Sequence, residues 1–468
     1  MSMEWLAILP FIVVIIFAIW TKQVIPSLFL GVLTAGYLSE PHWLNGLTET
    51  LRFVIESLTD PNNLKIIIFL YLFSAVVGIM RMSGGIKGFV ETASKKVKGR
   101  KSAIFLTWIS ALGTFSAPSF RIVTIAPVMK AMRKKVNMKK EELGFIIETT
   151  ASPLIVLIPV ATAFVGYMTS VIELSLHQSD TEQDAYGLFL SSIPYNFFAF
   201  AMLATGVYFA LFHNVKKSIK VQEDSNQEEE DWVDCHPAVA KDLPAKPLNL
   251  LLPLASVILS TFFFMYFLGL KSGSRGLEVF LEANVLDAMV LGLLFTAVWL
   301  LVYLLRNHKL KTMMENFVDG GNEMMGVIVL LVLVWALSVG SEALNFADIV
   351  SSSLSWIPPS FVGGLLFIVG CALSYFIGSS WGTWGILMPV GVSLAQVSGM
   401  DLAYVIGAVF ASGTFGAFAS PLSDDTNTTA GILDLNPMQY AKFKLKPALI
   451  AAGIAGVLFF VVPFVLDL

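Results

Sequence analysis

The residues best suited to chemistry sit in an apolar stretch near the end of the chain, Ser420-Pro421-Leu422-Ser423-Asp424-Asp425-Thr426-Asn427. A proline there breaks the helical ladder and leaves backbone carbonyls free. Hydroxyl, amide and carboxylate oxygens crowd the same few positions. Hard cations take carbonyl and carboxylate oxygens as ligands, and a carboxylate within a membrane is costly and marks an ion or proton path. Asp424 and Asp425, with Ser420, Ser423, Thr426 and Asn427, are therefore the candidate sodium ligands. Competition between sodium and a proton for one carboxylate would give exchange without further machinery. An aspartyl protease is disfavoured, because its two carboxylates share one proton and adjacent acids point in different directions.

A second cluster, Glu148-Thr149-Thr150-Ala151-Ser152-Pro153, repeats the break with fewer ligands. Glu148 is either a proton carrier or a partner for Arg121. Arg121 follows the sequence Ser116-Ala117-Pro118-Ser119 and is the one basic residue expected inside the membrane. Its planar fork suits a carboxylate, whether a substrate's or the protein's own. A third cluster, Gly378-Ser379-Ser380-Trp381-Gly382-Thr383-Trp384-Gly385, combines permissive backbone with hydroxyls and helix N-terminal amides. Trp381 and Trp384 either wall a solute site or pack against scaffold. Ser116, Ser119, Arg121, Glu148, Thr149, Thr150, Ser152, Ser379, Ser380, Trp381 and Thr383 are the candidate substrate residues. The five histidines fall in loops or at span ends, so carboxylates would carry any proton.

These clusters need a membrane scaffold. The chain has 468 residues, 56% hydrophobic and 14% charged, against about a quarter charged in soluble proteins. Cys235 and Cys371 match no metal spacing. Met1-Ser2-Met3-Glu4 lacks the positive region of a signal peptide, so the first apolar run is expected to be retained. Ten spanning segments are expected, at 5–20, 24–38, 64–82, 141–172, 188–213, 248–270, 285–305, 323–344, 401–433 and 447–466. The stretch 102–129 has basic flanks on both sides (Lys95, Lys96, Lys98; Arg133, Lys134, Lys135). Both flanks belong in the cytoplasm, so the stretch is a re-entrant hairpin interrupted at 116–119. With both termini outside, the basic residues at 216–220, 241–246, 306–311 and 442–446 also fall inside, and the acidic loop 173–187 falls outside.

The two halves echo each other. Gly78 matches Gly340, Ile125-Ala126-Pro127 matches Leu387-Met388-Pro389, and Ala151-Ser152-Pro153-Leu154 matches Ala419-Ser420-Pro421-Leu422. The expectation is an all-α polytopic membrane protein of about 10 transmembrane helices plus 2 re-entrant hairpins, in a 5+5 inverted repeat with two discontinuous helices. Residues 1–213 form the first repeat (hairpin 102–129, broken helix 141–172), 214–247 a cytoplasmic linker, and 248–468 the second repeat (hairpin 361–396, broken helix 401–433). Inverted repeats with discontinuous helices at the midplane recur in secondary transporters. A passive channel is the alternative of another class, and a continuous pore would distinguish it from two opposed hairpins.

Ser420-Pro421-Leu422-Ser423-Asp424-Asp425-Thr426 resembles the Ser-Pro-Ile-Ser-Asp-Thr-Thr stretch of the NhaC-type sodium/proton antiporter family. Ser380-Trp381-Gly382-Thr383-Trp384-Gly385-Ile386 is similar to its Ser-Trp-Gly-Thr tip. Where members often carry Gly-Asp-His, this chain has Gly416-Ala417-Phe418 and lacks that ionisable pair. The resemblance implies sodium-coupled transport, with H+ as counter-ion, by a scaffold and a moving transport unit. It also implies a bacterial-type inner membrane and a common dimeric state. Members moving organic acids or amino acids with sodium give a second reading that suits Arg121. The expected partners are a small ion or solute and the lipid bilayer, with no nucleic acid.

Overall fold

The computed structural model describes residues 3–85, 87–88, 92, 99–115, 117–136, 138–160, 162–177, 183–212, 246–271, 279, 284–346 and 357–466. Ser116 and nearly all of the expected linker lie outside the described residues. Among the described residues the chain is helical throughout and has no strands. Among those residues seven helices are long and apolar enough to cross a membrane, or eight if one bent pair counts as a single span. Exposed Leu259, Phe263 and Phe267, and likewise Leu449, Ile454, Val457 and Val461, form apolar outer faces. Burial in lipid accounts for such faces; water does not.

Four helices open the chain: α1 (Leu9–Thr21), α2 (Val24–Ser39), α3 (Trp43–Thr59) and α4 (Pro61–Met82). The first hairpin region holds α5 (Arg100–Ile109), α6 (Ala111–Thr114) and α7 (Pro118–Val136). The first broken segment is α8 (Lys140–Thr149), α9 (Ser152–Ile155) and α10 (Ala163–His177). Next come α11 (Ala185–Ser192) and α12 (Phe197–Phe212). The second series runs α13 (Leu248–Lys271), α14 (Val285–Leu304), α15 (Leu310–Asn322) and α16 (Met325–Ala343). The hairpin helices α17 (Val362–Ile377) and α18 (Ser380–Ser398) come after it, then α19 (Leu402–Ala419), α20 (Asp424–Leu433) and α21 (Pro437–Leu466).

Side-chain caps explain several starts. Asp60 accepts from the amides of Asn62 and Asn63 ahead of Pro61, and Asp401 accepts from Tyr404. Such caps satisfy amides that the first helical turn leaves without partners.

Several features depart from the expected spans: Leu6–Thr21 and Val24–Ser39 are shorter than a span, while Pro359–Ile377, inside the expected re-entrant hairpin 361–396, is long and apolar enough to cross. The segment at 188–213 is bent by 44° between α11 and α12, where Pro194 turns the helix through a short 3-10 stretch. The last helix begins at Pro437 rather than near 447. Finally, α3 and α15 are helices that hydropathy passed over, because each carries a charged face (Glu49, Arg52 and Glu56; Lys311, Glu315 and Asp319).

These two amphipathic helices pack reciprocally. Helix α15 lies along α4, and α3 lies along α16. Gly78 and Gly320 make the first contact possible, since a Cβ on Gly78 would meet the Asn316 carbonyl at 2.4 Å. Gly340 makes the second, with Phe53 and Ala35 against it. Arg81 adds a forked ion pair to Glu323 at 2.5 and 2.9 Å.

Candidate functional site

The two helix breaks meet. The backbone leaves the helix at Ala151, just before Ser152-Pro153, and at Ser420, just before Pro421. Ser152 Oγ donates a hydrogen bond to the Asp425 carboxylate, joining the first break to the second. Asp425 is 7% exposed. Asp424, its neighbour, is exposed at the first turn of α20. The two acids thus do face different ways, and the buried one is Asp425.

Most of the other second-break oxygens hold the break in shape. Ser420 Oγ donates to the Tyr375 carbonyl at 2.7 Å. Ser423 caps α20 by accepting from the Thr426 amide at 3.2 Å. Thr426 Oγ1 donates to the Ser420 carbonyl at 2.7 Å. Asn427 is exposed, and its amide donates to the Ser423 carbonyl at 2.9 Å.

A buried ion pair lies beside this junction. Lys444 on α21 donates to Glu148 on α8, with the side chains 0% and 1% exposed. Lys444 also donates to Thr426 Oγ1 at 2.8 Å. Its ammonium sits 4.7 Å from the Tyr440 ring centroid and 5.1 Å from that of Phe418. Read from sequence, Lys444 belonged to a cytoplasmic basic run, and its place in the interior corrects that expectation. The clue was periodic: Ala441, Lys444, Ala448, Ala451 and Ala455 form the buried stripe of α21, the spacing of one helical face. Lys442 and Lys446 are exposed.

The depth of the pair is set by helix lengths. Asp434, at the end of α20, pairs with Lys130 at 2.5 Å and Lys140 at 3.5 Å. From Lys140 to Glu148, and from Asp434 back to Thr426, the path is ~12 Å at 1.5 Å per residue. Two helices of opposite direction thus bring their side chains to one level.

Arg121 is fully buried and meets only neutral oxygens among the described residues. Nε and one terminal nitrogen reach Thr150 Oγ1 at 3.1 and 2.5 Å. The same terminal nitrogen also donates to the Thr107 carbonyl at 2.5 Å, and the other donates to Thr114 Oγ1 at 2.8 Å and Ser110 Oγ at 3.4 Å. Neither Glu148 nor Asp424 pairs with it, and that possibility from the sequence is set aside. Glu148 is held by Lys444 instead. Thr149 turns away from the site, with its methyl against Gly206, and Ser119 is exposed.

The second hairpin tip closes on the second break. Gly378 has φ 75°, and a Cβ there would meet Leu422 Cβ at 2.6 Å. Ser379 Oγ accepts from the Gly382 amide at 3.1 Å, and Thr383 donates to the Ser379 carbonyl at 2.8 Å. Ser380 is buried at the same turn. Trp381 and Trp384 pack edge-on against Phe164 at 4.8 and 5.1 Å, and Trp384 donates to the Phe410 carbonyl at 3.1 Å. Of the two readings of these tryptophans, packing describes Trp384, which is fully buried. Trp381 is half-buried, and its carbonyl accepts from the Tyr167 hydroxyl.

A sequence profile of the Na+/H+ antiporter family matches residues 154–463. The chain belongs to that family. It is 25% identical to an uncharacterized protein of Haemophilus influenzae over 99% of this chain and 91% of that one. Over 34% of each chain it is 26% identical to the malate-2H+/Na+-lactate antiporter of Bacillus subtilis. Its fold is similar to that of Neisseria gonorrhoeae MtrF, described as illuminating a class of antimetabolite efflux pumps. That match has a TM-score of 0.68 and 12% identity, and covers 89% of this chain and 84% of that one. The fold also resembles the YdaH transporter of Alcanivorax borkumensis, with a TM-score of 0.60, 14% identity and coverage of 90% and 89%. The protein is a multi-pass membrane transporter, not an enzyme.

Proposed function

We propose that the protein is a sodium-coupled secondary active transporter that exchanges Na+ for H+ through the Asp425 carboxylate. The observation that carries this reading is the Ser152–Asp425 hydrogen bond, which joins the two broken helices at a buried acid. Glu148, Thr426 and the carbonyls freed near Pro421 supply further hard oxygens around it. Sodium and protons compete for one carboxylate, and alternating access carries the winner across. Asp424, exposed at the mouth, attracts cations without binding them deeply.

The reading includes an inverted repeat of 1–213 and 248–468, supported by the reciprocal packing of α3 on α16 and α15 on α4. It includes an elevator-like movement of the hairpins and broken helices past α2 and α16. Gly382 against Val24 and Gly385 against Val334 give that boundary smooth apolar contacts, while the Trp335–Ser170 hydrogen bond at 2.9 Å must be exchanged during it. It places both termini outside a bacterial-type inner membrane, with the Lys130, Lys140 and Asp434 cluster on the cytoplasmic side, and it takes the protein to be a homodimer.

A second reading, coupled movement of a small organic carboxylate, is favoured by Arg121. A buried guanidinium facing only neutral oxygens among the described residues is poised for an anion. The partial relative in Bacillus subtilis, named for malate and lactate, agrees with it.

The test is Na+-driven proton movement in proteoliposomes. Asp425→Asn should abolish it, while Asp424→Asn should retain it within about threefold, the scale of an exposed electrostatic effect of under ~1 kcal/mol. Wild-type exchange by Asp425→Asn would overturn the reading. Malate- or lactate-dependent flux that needs Arg121 would move it to the second.

A further inference from the structure

Two basic side chains, Arg121 and Lys444, stand against two acidic ones, Glu148 and Asp425, around the junction, all within 7% exposure. A lone sodium ion entering this site would leave an uncompensated charge in a desolvated interior, which is strongly unfavourable. Entry is far easier if a resident cation leaves at the same time.

One resident is tethered rather than bound. The Lys444 ammonium already has the surroundings of a captured cation: Glu148, Thr426 Oγ1 and the faces of Tyr440 and Phe418. The cradle also holds more oxygen than Lys444 uses. Glu148 Oε1 is buried and unused by Lys444, and the Tyr440 hydroxyl lies beside the Glu148 carboxylate. A small cation would take both as hard oxygen ligands. The lysine also has a way out. Position 444 lies ~10 Å of helix from the start of α21, and a flexible four-carbon stem can snorkel toward that end.

We propose that the Lys444 ammonium is a tethered counter-ion filling the place of the transported monovalent cation. The ion then enters the Glu148–Thr426 cradle only as Lys444 leaves it. This inference rests on the cation-coupled reading above and adds an internal competitor to it. The empty cradle is never exposed without a charge in it, so lysine departure and ion entry are one event.

Two measurements test it on the full-length protein in detergent, with NaCl compared against choline chloride. Lys444→Ala should bind 22Na+ at least about tenfold more tightly than wild type and gain melting temperature with NaCl. The double variant Glu148→Gln/Lys444→Ala should lose that gain. In the wild-type protein, NaCl should raise acylation of Lys444 by a water-soluble amine reagent several-fold, read by peptide mass spectrometry. Lys444 labelling that does not respond to NaCl overturns the proposal, as does a monodisperse Lys444→Ala protein with wild-type sodium affinity. Wild-type proteoliposome flux is measured separately. Sodium-driven flux combined with either negative result removes the tethered counter-ion and leaves the transport reading standing. Absent flux with a positive binding result does the reverse.

Discussion

Ser152 donates a hydrogen bond to Asp425 across 273 positions of sequence, and so ties the first helix break to the second. A hydrogen bond to a charged or buried acid is worth ~1.5–3 kcal/mol. Ser152→Ala should therefore weaken the apparent sodium affinity by about tenfold, at ~1.4 kcal/mol per decade, and lower the melting temperature. Sodium-concentration curves of exchange provide the measurement. An unchanged half-saturation would mean that Ser152 only packs.

Glu148 and Lys444 form a buried pair, and breaking one is worse than removing both. Leaving one buried charge alone costs ~3–5 kcal/mol. Glu148→Gln should lower the melting temperature strongly. Glu148→Gln combined with Lys444→Met should recover much of that loss. A thermal-denaturation cycle over the four proteins gives the coupling energy, and simple additivity would contradict the pair.

Arg121 faces the opposite situation, a buried charge whose acceptors among the described residues are all neutral. Removing that charge relieves desolvation, so Arg121→Gln should be as stable as wild type or more so. On the organic-carboxylate reading, transport should fall by at least tenfold, the scale of a charge-assisted bond of ~1.5–3 kcal/mol. Parallel melting and flux assays separate the two effects. A large loss of stability would make Arg121 a structural brace.

Gly378 turns the second hairpin with φ 75° while touching Leu422. Gly378→Ala meets both a disfavoured backbone and a clash at 2.6 Å, each worth ~1–3 kcal/mol. The second break should shift, and transport should drop more than expression does. Full activity in Gly378→Ala would show that the tip does not form part of the moving site.

Gly320 lies far from these oxygens, against Gly78 and the Ser74 carbonyl, which a Cβ would approach at 2.7 Å. Gly320→Val should cost ~1–3 kcal/mol through overpacking and reduce folded yield. The sodium affinity of the surviving protein should match wild type. A changed affinity would imply that the α4–α15 contact is part of the site.

Local composition was enough to mark an all-helical membrane chain and its interruptions. Apolar runs of membrane-spanning length demand helices, because lipid offers no partner to a bare backbone. Pro153 and Pro421 mark the two breaks, because proline cannot donate wherever it sits in space. The glycines of the second tip announce a left-handed turn for a similar reason. Amphipathic α3 and α15 escaped, since a charged face lowers hydropathy without preventing a helix. The direction in which each side chain points was left to tertiary packing. Packing turned Asp425 inward and Asp424 outward, surrounded Arg121 with hydroxyls rather than acids, and drew Lys444 out of a basic run into the interior. Each outcome depends on helices remote in sequence, which choose the partner of a buried charge. The chemistry of the polar stretch around Pro421 centres on Asp425, Ser152 and the Glu148–Lys444 pair, because those are the groups that the fold removes from water together.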